Sequence, residues 1–383
     1  METLIDYEHL RLIWWLFLGV LLIGFAVMDG FDLGVAALLP LVARTDLERR
    51  VAINSIGPVW DGNQVWLILG AGAIFAAWPA IYAAAFSGFY IALFLVLVTL
   101  ILRPVGFEFR NKFADTRWRG FWDAALVAGG VVPSLVFGVA FGNLLQGVPF
   151  RIDGDMRVFY EGGGLLELLN PFGLLAGLLS LAMLTTHGAV YLALKTDGTV
   201  RQRAAAYVRA GAPVTILLFL LAGLWVALGL PGYALVGTVV TDGPSNPLFK
   251  QVELRPGGWL ANYASHPWTV AAPVLGVLGP AGAFIATLKD RPGAAFIASA
   301  TGIAGIVATA GVSMFPMLMP SSLVPSASLT VWDASSSHRT LLVMLVATLI
   351  FLPLILAYTG LIFRVLRGRV GPADIQRNPS SLY

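Results

Sequence analysis

The sequence predicts an all-α polytopic membrane protein, and three observations carry that expectation. Of 383 residues, 58% are hydrophobic and 12% are charged, about half the roughly 25% charge of a soluble domain. Apolar windows of about 20 residues, long enough to cross a bilayer as helix, recur along the whole chain. These runs are continuous, without the ~10-residue alternation of outer-membrane strands, so the helix is the way left to satisfy backbone N–H and C=O groups in lipid.

About nine transmembrane helices are expected, at 10–42, 57–77, 79–104, 119–147, 168–196, 204–230, 267–289, 292–315 and 338–366. The first is expected to be a retained helix, because the segment before it (METLIDYEHL) is acidic and lacks the basic start of a cleaved signal. The first, fourth, fifth and ninth are longer than a crossing needs, so they tilt or project beyond the hydrocarbon. Pro133, Pro213, Pro273 and Pro353 mark kinks that neighbouring helices can satisfy. Gly/Ala-rich runs such as LGAGAIFAAW and ATGIAGIVATAGV allow close helix approach. Spans one to four and five to eight are expected to form two four-helix bundles, with the ninth peripheral, although no sequence repeat joins the halves. The loops near 148–167 and 231–266, with Gly, Pro, Asp and Asn, read as ordered caps outside the membrane. A single integral membrane domain thus covers 1–369, and 370–383 (VGPADIQRNPSSLY) is a polar tail, expected to be loose in the cytoplasm.

Charge sets the orientation. With nine spans and the N-terminus outside, only Arg11, Arg151, Arg157, Lys250, Arg255 and Arg339 of the 24 Lys and Arg residues lie outside. The rest line inner segments, as the positive-inside rule requires, so the C-terminus is expected in the cytoplasm. The net charge of +3 therefore reflects membrane sidedness, and no nucleic-acid partner is expected.

Acidic residues in these spans are the candidates for chemistry. Asp29 and Asp32 sit inside the first span, and Asp61 follows at the start of the second. A carboxylate at membrane depth is costly, faces a bundle interior or a water path, and often marks an ion or proton route. At ~1.5 Å per residue, Asp29 lies roughly 18–20 Å and Asp32 about 14–15 Å from the inner end, with Asp61 only a few residues deep. The spacing of three puts Asp29 and Asp32 on one face, and the three acids climb from the cytoplasmic side toward mid-membrane. Two readings stand: a proton relay, or acids held structurally by neighbouring helices.

Metal and cofactor ligands are scarce. There is no cysteine, and the four histidines are His9, His187, His266 and His338, of which His187 alone lies well inside a span. Haem iron needs axial ligands on facing elements, and one helical histidine is more often a packing residue, so no metal site and no catalytic residue are assigned to this chain. Trp14, Trp15, Trp78, Trp118, Trp122 and Trp332 fit interfacial belts. Trp60 and Trp66 lie with Asn63 and Gln64 on a polar helix start, and Arg103 in RPVGFEFR is placed to pair with Glu108 or to anchor to headgroups. No Walker loop, dinucleotide fingerprint or zinc-protease motif occurs.

Several of these segments together resemble subunit II of the cytochrome bd-type quinol oxidases, a family that includes cyanide-insensitive members. They are DYEHLRLIWWLFLGVLLIGFAVMDGFDLGV, RRVAINSIGPVWDGNQVWLI, FAAWPAIYAAAFSGFY, LRPVGFEFR, GVAFGNLLQGVPF, LNPFGLLAG, and MFPMLMPSS with SLTVWDASSS. The resemblance implies a bacterial cytoplasmic-membrane complex that oxidises quinol on the outer side and reduces O2 to water with cytoplasmic protons. It implies two b haems and one d haem, ligated mainly by a subunit I partner, a small single-span subunit in some members, and a structural quinone on subunit II in some. Residue by residue, it implies a proton pathway through Asp29, Asp32 and Asp61, with Trp60 and Arg103 supporting the subunit and haem interface. It gives His187 no role. A proton-coupled transporter and a purely structural membrane subunit are the alternatives from other classes.

Overall fold

The structure, a computed structural model, describes residues 5–162 and 164–377. α1 (Tyr7–Val42) starts at Asp6, whose carboxylate accepts the His9 N–H at 2.8 Å, the usual chemistry of an N-cap. α2 (Asp46–Ile56) occupies a segment expected to be loop. Its signal in the sequence is a capping box, with the Thr45 hydroxyl accepting from the Glu48 N–H and the Glu48 carboxylate from the Thr45 N–H, which satisfies two free donors reciprocally.

After a break at Gly57 and Pro58, α3 (Trp60–Ala77) leads to α4 (Pro79–Gly88) and α5 (Tyr90–Phe109). Phe89 joins the last two without loss of hydrogen bonding, since its N–H reaches Ala85 and its carbonyl accepts from Leu93. α6 (Thr116–Gln146), the short α7 (Leu165–Leu168), α8 (Pro171–Lys195) and α9 (Gly198–Gly229) follow. Then come α10 (Ala261–Ser265), α11 (Ala271–Leu288), α12 (Pro292–Met314), α13 (His338–Val365) and α14 (Pro372–Arg377). Among the described residues eight helices are long and apolar enough to cross a membrane. The expected span not among them is the second, 57–77, which forms α3, of 18 residues, whose first turn (Trp60, Asp61, Gly62, Asn63, Gln64) lowers its hydropathy.

The loops beside the start of α1 are ordered by three antiparallel hairpins: β1 (Phe150–Ile152) with β2 (Val158–Tyr160), β3 (Pro231–Val236) with β4 (Gln251–Pro256), and β5 (Met317–Met319) with β6 (Leu329–Thr330). Arg11 of α1, fully buried, gathers them. Its guanidinium donates to the Gly243 carbonyl (2.9 Å), Ser245 Oγ (3.0 Å) and Ser335 Oγ (2.8 Å) and lies 3.6 Å from the Tyr7 ring. Its buried donors are thus satisfied mainly by loop carbonyls and hydroxyls, as burial of such a group demands.

The helices form two four-membered groups. α1 packs on α3 and α6, and α5 on α6. In the second half α8 packs on α9 and α12, and α11 on α9 and α12. The halves meet where α1 crosses α8, with α6 against α8 and α12 against α1. The crossing point is Gly34 on Gly188, where a Cβ on Gly34 would enter the Leu184 carbonyl, so the backbones touch as small-residue interfaces allow. α13 rests on α1 and α3 with its other faces open. Three contacts of the first half therefore recur in the second (α1–α3 as α8–α9, α1–α6 as α8–α12, α5–α6 as α11–α12), while the α9–α11 contact has no equal between α3 and α5, a partial repeat that the sequences of the halves do not announce.

The tail differs from expectation. Residues 370–377 are docked, with the Val370 N–H on the Lys195 carbonyl at 2.8 Å and Ile375 only 1% exposed, beside α2. Ile375 and Val370, both packed on the core beside them, supply the anchor. The remainder of the expected tail, 378–383, lies outside the described residues.

Candidate functional site

The interior of the first half holds a small ionic cluster. Asp29 and Asp32, three residues apart on α1, are both fully buried, and each faces a different helix. Asp29 receives Arg103 of α5 in a two-pronged bridge, Nη2 to Oδ1 at 2.9 Å and Nη1 to Oδ2 at 3.2 Å. Neither side chain is exposed. Gly129 of α6 makes room for the arginine, since a Cβ there would stand 2.7 Å from Arg103 Cγ. Arg103 is thus an interior partner of Asp29; the expected pairing with Glu108 does not form, because Glu108 faces outward while Arg103 turns into the bundle. The planar fork suits a buried carboxylate better than a lysine would.

Asp32 has a different environment. Its Oδ2 accepts the Asn63 amide of α3 at 2.8 Å, while its Oδ1 is buried with no hydrogen-bond partner among the described residues. An unsatisfied buried oxygen costs about 1–3 kcal/mol and calls for a proton or a water at that atom.

Asp61 does not join the two. Trp60, Asn63, Trp66 and Gly70 form the buried stripe of α3, and Asp61 is exposed away from it. No hydrogen bond among the described residues connects Asp61 to Asp32. Trp60, 9% exposed, stacks on Phe107 of α5 with ring centres 5.1 Å apart, which fixes α3 against α5 just beyond Arg103. Asn63 is the site residue that sequence reasoning left unassigned. Its signal was its i, i+3 spacing from the tryptophans on either side.

The end of the bundle opposite Tyr7 is braced by ion pairs. Arg110 bridges Asp123 (2.6 Å) and Asp46 (2.9 Å), Arg49 reaches Asp123 (2.7 Å), and Arg203 of α9 reaches Glu48 (2.9 Å). Partial burial alone would raise the Glu48 pKa. Hydrogen bonds from Thr199, the Arg44 and Thr45 N–H groups and Arg203 overcome that and pull it down to about 2. These contacts clamp α2 and thereby position the Gly57–Pro58 break that starts α3.

The histidines do not fit a haem. His187 is fully buried, with Nε2 3.0 Å from the Val27 carbonyl and Nδ1 2.9 Å from Ser299 Oγ. A carbonyl only accepts, so Nε2 carries the proton and Nδ1 accepts from the serine. Both nitrogens are taken, and Phe296 stacks on the ring 4.9 Å away. No group of three His, Cys, Asp or Glu suited to a metal is found among the described residues.

A separate apolar cavity of about 780 Å³ lies between the halves, with Phe25, Phe137, Phe172, Met183, Phe219 and Tyr263 among its walls. Leu220 and Leu224 of α9 line it and are 53% and 57% exposed, so it opens sideways at the level of the apolar helices.

Known proteins share this chain throughout its length. The family model described as cytochrome bd terminal oxidase subunit II matches residues 10–366. The chain is 51% identical over 380 residues to cytochrome bd-I ubiquinol oxidase subunit 2 of Escherichia coli strain K12, covering 99% of this chain and 100% of that one. It is 34% identical over 358 residues to cytochrome bd ubiquinol oxidase subunit 2 of Bacillus subtilis, covering 94% and 96%. A chain in the structure of bd oxidase from Geobacillus thermodenitrificans superposes with a TM-score of 0.70 at 19% identity, over 93% of this chain and 98% of that one, which concerns the fold alone. The repeated helix groups, the multi-pass apolar build and these matches agree: the chain is a multi-pass protein of the bacterial cytoplasmic membrane and belongs to the cytochrome bd terminal oxidase subunit II family, whose assemblies are haem-containing quinol oxidases with a subunit I partner.

Proposed function

We propose that this chain is the subunit that ligates no haem, and that it supplies protons from the cytoplasm to O2 reduction carried out in subunit I. In this reading subunit I holds the two b haems and haem d and handles quinol and O2. The chain lies N-terminus out and C-terminus in, a small single-span subunit joins the complex, and proton uptake from one side makes turnover electrogenic. The observation that carries the reading is Asp32 Oδ1, a carboxyl oxygen deep in the bundle with no protein partner.

The three acids then have separate duties. Asp29, bound by both prongs of Arg103, is the charge partner that holds that arginine in the bundle. Asp32 is the carrier. Asp61, exposed on the far side of α3, is the collecting group, and its link to Asp32 runs through water or the partner subunit. Trp60 and Arg103 hold α3 and α5 at the spacing this needs. The apolar cavity has the size and lining of a small-molecule site and suits a long-chain quinone in a structural role.

The test is Asp32→Asn in the purified two-subunit complex. The expected result is full haem content with quinol-driven O2 consumption and proton uptake reduced about 10²-fold, the scale of losing a proton-transfer group. Normal turnover at full haem content would overturn the relay. Haem loss in proportion to activity would favour the structural role instead.

A further inference from the structure

We propose that Asn63 is the positioning residue of Asp32: its amide holds one carboxyl oxygen and leaves the other, Oδ1, as the atom that exchanges protons. The inference rests on Asp32 being the proton carrier. Asn63 is 2% exposed and its Nδ2 stands 2.8 Å from Asp32 Oδ2. An amide N–H only donates, so Oδ2 accepts in either protonation state, and in the protonated acid it is the carbonyl oxygen. The hydroxyl must then be on Oδ1, the oxygen without a partner. The step moves one proton and no electrons: the O–H bond formed at Oδ1 on arrival is the bond broken on delivery.

The second half of the chain provides an internal comparison. The crossing of Gly34 on Gly188 sets α1 against α8 in register, which places Asp32 opposite Thr186. α9 spans 32 residues, as does Asp46–Ala77 across α2, the break and α3, and counting equally from their starts takes Asn63 to Thr215. Those two threonines touch, Oγ1 to Oγ1 at 3.5 Å. The same crossing of helices is therefore closed by two small neutral hydroxyls in one half and by an acid and an amide in the other. Packing at this crossing does not require a carboxylate. What differs in the first half is the break at Gly57 and Pro58, which restarts the helix at Trp60 and turns Asn63 inward in its first turn.

Charged and titratable groups around Asp32 are few. Asp29 is on the same helix, Arg103 is on α5 bound to Asp29, Asn63 is the polar group from α3, and α8 brings His187, bound at both nitrogens, and Tyr191, whose hydroxyl donates to the Ser55 carbonyl at 3.1 Å. The amide of Asn63 is the group that sets the orientation of the carboxyl.

The experiment compares Asn63→Thr, Asp32→Asn, the pair Asp32→Asn with Asn63→Thr, and the pair Asp32→Thr with Asn63→Thr in the assembled complex. It reads haem content, the pH profile of quinol-driven O2 consumption, and the infrared carbonyl band of a protonated carboxyl, assigned by its absence in Asp32→Asn. The expected result for Asn63→Thr is full haem, turnover lowered about tenfold, a displaced pH profile and a band moved to higher wavenumber, because Oδ2 has lost its donor. Adding Asn63→Thr to Asp32→Asn should cost nothing more, and the double threonine variant should assemble with full haem. An unchanged band and pH profile in Asn63→Thr at full haem would overturn the proposal. So would haem loss in both Asn63→Thr and the double threonine variant, which would make the contact structural. If Asp32→Asn itself keeps the normal profile, the carrier reading fails, a result distinct from failure at Asn63.

Discussion

Removing either end of the Asp29–Arg103 bridge should destabilise the protein far more than removing both. The two charges stand 2.9 Å apart with neither side chain exposed. At an effective dielectric of about 20, their attraction is on the order of 6 kcal/mol, most of which offsets the cost of taking both out of water. Truncating one partner leaves the other charge buried alone, at about 3–5 kcal/mol. Arg103→Met and Asp29→Asn should each lower the thermal stability of the purified complex by that scale and release haem on mild heating. The double variant should recover all but about 1–2 kcal/mol, giving a coupling of at least ~4 kcal/mol. The assay is thermal denaturation followed by haem absorbance, with subunit co-purification as the assembly control. Two single variants within ~1 kcal/mol of the parent, or a double variant equal to the sum of the singles, would refute the argument that Asp29 is an anion held for Arg103.

Other perturbations address the fold around this site. Gly34→Ala, which drives a methyl into the Leu184 carbonyl at the α1–α8 crossing, should cost about 2–3 kcal/mol as overpacking against rigid backbone, seen as a lower denaturation temperature. Glu48 has its folded pKa near 2, below its unfolded value of 4.5, so its contribution is complete above pH 4.5 and lost as pH falls toward 2. Screening at this polar end limits it to about 1–2 kcal/mol, and Glu48→Gln should flatten stability against pH in that window alone. Gly223→Trp, which fills the cavity wall on α9 where a Cβ meets nothing within 4 Å, should reduce copurifying quinone as measured by solvent extraction and leave haem content intact.

The sequence made the apolar spans and the buried acids legible because both depend on local cost: a run of apolar residues has one stable form in lipid, and a carboxylate within it must face inward. It could not say which helix each acid faces. Asp29 and Asp32 share a face by spacing, yet one turns to α5 and the other to α3, a choice set by partners from distant parts of the chain. Arg103 was visible as a cation at a helix end, but its partner is 74 residues away. α2 hid in a charged stretch, although its capping box at Thr45 and Glu48 was readable. The docked tail rests on two apolar side chains, Val370 and Ile375, too few for a pattern.

The register that pairs Gly34 with Gly188 also asks what replaces the ion pair in the second half. Opposite Asp29 stands Met183. In the first half Arg103 fills the space left by Gly129, and in the second Pro280 packs in the same way against Gly302. Met183 lines the apolar cavity, as do Leu179 and Leu184 on the same helix. The first half thus holds a buried ion pair where the second brings Met183 to an apolar cavity that both halves line. In the polar half a buried ion pair lies beside an acid with one oxygen unpartnered among the described residues, whereas the cavity walls are apolar and suit an apolar chain, because burying a polar group there without a partner would be penalised.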